Sequence, residues 1–85
     1  MGLSQSFKFK YNNISEIEKL LKELNCSQKN NLWVISEFNE KQMNFELTLE
    51  DYGLYTHRSG DYFEVLGLLL EKLTGKFGQV EVDDL

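Results

Sequence analysis

Apolar side chains recur along this 85-residue chain with two different periods, one of two residues and one of three to four. A period of two is typical of a strand with one buried face, and a period near 3.6 is typical of an amphipathic helix. Phe7, Phe9 and Tyr11 alternate with lysines, so a first strand is predicted over residues 5–11.

Two segments carry the helical period. In residues 14–24 the apolar positions lie three and four apart, behind Asn13 and Ser15, and either of these residues can cap a helix N-terminus. A second apolar stripe predicts a helix over residues 62–74. Gly67 in its interior costs roughly 1 kcal/mol relative to alanine unless another element packs closely there.

Both ends of the second helix carry signals. Asp61 followed by Glu64 has the spacing of a capping box, and Gly75 suits the position after the last helical residue. We therefore expect Asp61 to cap the N-terminus and the helix to end at Gly75.

The rest of the chain is extended in pattern. Residues 32–38, 43–50 and 54–57 predict a three-stranded meander, residues 79–83 predict a last strand, and residues 25–31 have the composition of a polar loop. The order is β-α-β-β-β-α-β, and nothing in residues 1–85 signals a domain boundary. We expect one α+β domain, a two-layer α/β sandwich with two helices on one face of a mostly antiparallel five-stranded sheet.

Composition narrows the classes of function. Fourteen acidic residues against nine basic ones give a net charge of −5, which disfavours binding to nucleic acid because that binding draws on clustered lysine and arginine. A single cysteine, Cys26, excludes an internal disulfide and a cysteine-based metal site, and it is expected to be a packing residue. With no long apolar run and no signal-peptide pattern, a cytoplasmic protein without membrane contact is expected.

The uncovered face of the sheet is the predicted binding surface. If Leu32, Val34 and Phe38 point toward the helices, Trp33 and Ile35 point away from them. Aromatic residues beside a few charges are typical of the centre of a protein interface. The alternatives are that this strand is buried on both faces or that its aromatics pair across strands. The candidate interface residues are Trp33, Ile35, Glu46, Tyr55, His57 and Arg58.

Two of these residues also allow chemistry. His57 is the only histidine, and imidazole serves as acid or base near neutral pH, but its spacing from Ser59 and Asp61 matches no known catalytic motif. Arg58 precedes the second helix, where it can bind an anion or pair with a carboxylate, and the salt bridge is the expected role. No catalytic residues, metal site or cofactor are predicted.

The leading hypothesis is a non-enzymatic protein-binding module acting through the open sheet face, as an immunity-like, antitoxin-like or regulatory partner. Its size and charge resemble those of small bacterial proteins of that kind, and its partner would be a protein with a basic surface or a second copy joined at a sheet edge. One alternative is a small-molecule-binding regulatory domain of the ACT or ferredoxin-like type, although Tyr11-Asn12-Asn13 replaces the glycine common in its first loop. A minimal His57-dependent nuclease is disfavoured by the acidic charge.

Overall fold

The computed structural model describes residues 3–24 and 26–84, which form an α+β fold of six strands and two helices. The elements in chain order are β1 Leu3–Lys8, α1 Ile14–Lys22, β2 Ser27–Lys29, β3 Leu32–Phe38, β4 Lys41–Glu50, β5 Gly53–Gly60, α2 Phe63–Phe77 and β6 Glu81–Asp84. The strands form one sheet in the order β2-β3-β4-β5-β1-β6, and every neighbouring pair is antiparallel. The predicted fold class is confirmed, with six strands in place of five.

The additional strand, β2, lies where a polar loop was expected. Its three residues are all exposed and polar, so no alternation of apolar residues marks them as a strand. It pairs with β3 through a tight turn in which Asn30 has a φ of 56°, a left-handed conformation that asparagine tolerates. Asn25, the first residue of the predicted loop, lies outside the described residues.

The helix signals are partly confirmed. Asn13 caps α1, because its Oδ1 accepts a hydrogen bond from the Ser15 backbone amide at 3.0 Å. In α2 the N-cap is Tyr62, which makes no side-chain capping bond, so the Asp61–Glu64 capping box was wrong. The predicted end of α2 was wrong as well, because the helix continues past Gly75 to Phe77.

Both helices bury their apolar stripes against the same face of the sheet. Ile17 and Leu21 of α1 and Val65 and Leu69 of α2 are fully buried in one cluster with Phe45 of the central strand β4. Neither helix of the described residues covers the other face of the sheet. In the described part of the chain, neither helix is long and apolar enough to cross a membrane.

Candidate protein-binding surface

The uncovered side of the sheet is formed by alternate residues of each strand, and we call it the open face. The strand register places Glu46 opposite His57 and Thr48 opposite Tyr55 on this side. Glu46, Tyr55 and His57 therefore lie on the face where the sequence pattern placed them. The residues of the open face are Ser4, Ser6, Lys8, Ser27, Lys29, Leu32, Val34, Asn44, Glu46, Thr48, Glu50, Tyr55, His57, Ser59, Glu81 and Asp83.

Trp33 and Ile35 point the other way, so their predicted orientation was wrong. Their exposed fractions are 1% and 0%, and they face the helices opposite Leu47 and Phe45. Both sets of alternate positions in β3 contain apolar residues, so alternation does not decide which set faces the helices. Burying the large indole of Trp33 gains more free energy than burying Val34, so Trp33 faces the helices. The indole Nε1 has no hydrogen-bond partner among the described residues.

At the centre of the open face, three polar side chains hold one another in place. The Ser4 Oγ lies 2.8 Å from the His57 Nδ1, and the Tyr55 hydroxyl donates to the Ser4 Oγ at 3.4 Å. Ser4 belongs to β1, which pairs with β5 on one side and β6 on the other. The register of β1 with β5 sets Ser4 directly opposite His57, so strand pairing brings the two side chains together.

A hydroxyl next to an imidazole is also part of many nucleophilic sites, which need a further group to orient the imidazole. No carboxylate among the described residues hydrogen-bonds to His57, and Ser59 and Asp61 make no contact of that kind with it. The pair lies on a sheet surface and lines neither of the two cavities described below. Its geometry fits hydrogen bonding to a bound surface better than catalysis.

Acidic side chains outnumber basic ones on the open face. Glu46 and Glu50 form no ion pair with any described residue, whereas Lys8 contacts Asp83 with a separation of 2.9 Å between Nζ and Oδ2. The hydrogen bond and the negative charge of Asp83 raise the pKa of Lys8. Two half-buried apolar residues of β3, Leu32 and Val34, lie beside this acidic area.

Arg58 is separated from the other predicted interface residues, because it points to the helix side of the sheet and is only 2% exposed. Its guanidinium donates to the side chains of Gln5 and Thr56. The guanidinium carbon lies 5.0 Å from the centre of the Tyr62 ring and 5.9 Å from that of Phe45.

The expected salt bridge of Arg58 is absent from the described residues, and its Nε has no hydrogen-bond partner there. Its surroundings are neutral polar groups and aromatic rings. Arg58 is thus a buried cation with a structural environment, distinct from the open face.

Two cavities lie away from the open-face centre. An open groove of about 990 Å³ is lined by Phe9, Tyr11, Tyr52 and Phe77 together with polar residues, two of which, Lys8 and Glu81, also border the open face. The ring centroids of Phe9 and Phe77 lie 4.8 Å apart. None of the six predicted site residues lines it.

A smaller cavity of about 310 Å³ lies between the helices and is lined by Lys19, Lys72 and Lys76. Lysines near helix C-termini interact favourably with the helix dipole. Lys72 also forms an ion pair with Glu23, with 3.0 Å between Nζ and Oε1. These contacts account for the lysines without a ligand.

Metal and thiol chemistry find little support in the described residues. No group of three or more histidine, cysteine, aspartate or glutamate residues in that part of the chain is placed to hold a metal ion. Cys26 is half-buried, and burial raises the pKa of its thiol to about 11. A thiol with so high a pKa is a poor nucleophile at neutral pH.

Comparison of the chain with protein-family models, with curated protein sequences and with solved structures found no match.

Proposed function

We propose that this chain is a non-enzymatic protein-binding module whose open face binds a partner protein with a basic surface. The observation that carries the proposal is the hydrogen-bonded group of Ser4, Tyr55 and His57 on a sheet face that neither helix of the described residues covers. The half-buried Leu32 and Val34 lie on the same face.

Preordering supports this role. A side chain that is already fixed by hydrogen bonds loses less conformational entropy when a partner binds. Tyrosine is enriched at the energetic centre of interfaces because it offers a large apolar ring and a hydroxyl on a side chain with few rotatable bonds. Tyr55 combines these properties with a hydrogen bond to Ser4.

Charge supports the choice of a basic partner. Glu46 and Glu50 form no ion pair with described residues, and the chain as a whole carries a charge of −5. Complementary charge accelerates the encounter of two proteins and selects against acidic partners.

The aromatic groove supports a second candidate, the binding of a small molecule. Its volume of about 990 Å³ and its four aromatic residues are within the range of ligand sites. The chain has two strands more than the β-α-β-β-α-β order of the ferredoxin-like fold. The groove, and not the fold, therefore supports this alternative.

A pair of matched variants separates these functions. The open-face variant is Glu46→Lys with Tyr55→Ala, and the control is Glu71→Lys with Tyr52→Ala, which makes the same changes on α2 and in the groove. Wild type and both variants, each shown by circular dichroism to be folded, are used to capture proteins from host lysate, and captured proteins are purified and re-tested for binding.

We expect one protein with a basic surface to bind wild type and the control at 1:1 stoichiometry, more weakly at high salt, and not to bind the open-face variant. A protein that binds both variants equally, a loss of binding in the control, or the absence of any stoichiometric partner would contradict the proposal. Loss in the control alone would favour the groove.

A further inference from the structure

The two edges of the sheet differ in how they are protected from pairing with another strand. The β2 edge is only three residues long, polar and exposed, and it carries Lys29, a residue that commonly blocks edge pairing. The β6 edge, Glu81–Asp84, has no lysine, proline or register shift in its pairing with β1. Along its outer side, alternate backbone amides and carbonyls have no strand partner in the described part of the chain.

The charge of β6 selects which strand can pair with it. Three of its four residues are carboxylates, and only Asp83, held by Lys8, is in an ion pair with a described residue. Asp84 accepts a hydrogen bond from the neutral side chain of Gln5. Antiparallel pairing with a second copy of β6 would place carboxylates opposite carboxylates, which is unfavourable, whereas lysine or arginine at those positions is favourable.

The side chains of β6 alternate between two environments. Val82 is paired with the buried Phe7, so it lies on the helix side of the sheet, yet it is 42% exposed. Glu81 and Asp83 lie on the open face. A strand added beside β6 would therefore place alternate side chains next to an exposed apolar residue and next to carboxylates.

On the basis of the proposed protein-binding function, we propose that β6 accepts an added antiparallel or parallel strand from the partner, in which apolar residues alternate with lysine or arginine. Backbone hydrogen bonds to the free edge would supply affinity, and the alternation would supply specificity, as in other cases of strand addition. The added strand extends the open face, so one partner can contact both surfaces.

The test uses the full chain labelled with ¹⁵N and three short synthetic peptides. The first alternates lysine and valine, the second alternates glutamate and valine, and the third repeats the lysine–valine sequence with N-methylated backbone amides, which cannot pair as a strand. Amide shifts and hydrogen exchange are measured with each peptide. We expect only the first peptide to slow exchange of the outward amides of β6, by about tenfold or more.

Equal effects of the first and third peptides would show binding by charge alone and would overturn the inference. Protection that maps to β2, or no protection at all, would overturn it too. Glu81→Lys, at a residue without an ion pair among the described residues, should weaken the first peptide severalfold, whereas Glu71→Lys on α2 should not.

These outcomes are distinct from those of the proposed function. A captured partner that leaves the β6 amides free to exchange would refute strand addition and leave binding by the open face intact. Protection of β6 by the first peptide without any captured partner would support the edge and count against the proposed function.

Discussion

Replacing the buried Arg58 with methionine is expected to leave the fold as stable as the wild type or more stable. Removing a guanidinium from water costs several kcal/mol even after relaxation, and no carboxylate among the described residues offsets that cost. The charge-assisted hydrogen bond to Gln5 contributes about 1.5–3 kcal/mol. The two aromatic contacts add about 1–2 kcal/mol.

These terms nearly cancel, and methionine retains most of the apolar stem and packs well against aromatic rings. We therefore expect Arg58→Met to change the free energy of unfolding by between 0 and about +1 kcal/mol. Arg58→Ala also removes the stem and leaves a cavity, so it should lower the free energy of unfolding by about 2 kcal/mol or more.

Urea unfolding followed by the fluorescence of Trp33, the only tryptophan, measures both changes. The slope of the transition must stay constant for the midpoints to be compared. If Arg58→Met loses as much stability as Arg58→Ala, the guanidinium is a net stabilising group and the reasoning about its burial is wrong.

Four further predictions follow from local geometry and electrostatics. Gly67→Ala should raise the free energy of unfolding by up to about 1 kcal/mol, because a Cβ at this helical position meets nothing within 4 Å. Gly53→Ala should lower the urea midpoint, because Gly53 has a φ of +143° and an added Cβ would lie 2.3 Å from the Phe7 carbonyl oxygen of β1. Cys26 should react with iodoacetamide at pH 8 far more slowly than a free thiol, and unfolding should abolish the difference. A hydrogen bond from Asn39 lowers the pKa of Glu64. The carboxylate of Glu64 therefore contributes to the stability of the fold at pH values above its unfolded pKa, and this contribution is lost as the pH falls through the lower folded pKa. The urea midpoints of wild type and Glu64→Gln should converge in acid, and a gap that stays constant with pH would contradict this.

The sequence predicted well those strands in which apolar residues alternate strictly with polar ones, so that one set of alternate positions is apolar and the other is polar. Met43, Phe45 and Leu47 alternate with polar neighbours along β4, and the face that each residue occupies followed directly. The strand β3 is apolar in both phases, so its pattern could not decide whether Trp33 or Val34 faced the helices. Tertiary packing decided it, in favour of the larger side chain.

The candidate site was harder to predict because it depends on pairing between distant segments. Ser4 meets His57 across a separation of 53 residues, and nothing in the local sequence specifies that β1 lies beside β5. Glu46 was placed correctly because β4 alternates cleanly between apolar and polar residues. Tyr55 and His57 lie on the same face because β5 pairs with β4 in a register that sets them opposite Thr48 and Glu46. Arg58 shares the strand of His57 but has the opposite phase, which puts it among the buried residues.

The most direct test of the central claim is the dissociation constant of the purified partner complex, measured by calorimetry for wild type, the open-face variant Glu46→Lys with Tyr55→Ala, and the matched control Glu71→Lys with Tyr52→Ala. An interfacial tyrosine at an energetic centre contributes about 2 kcal/mol or more, so the open-face variant should bind at least about 30-fold more weakly while the control stays within about twofold of wild type. Equal affinity of the two variants, or a greater loss in the control, would contradict the assignment of the open face as the binding surface.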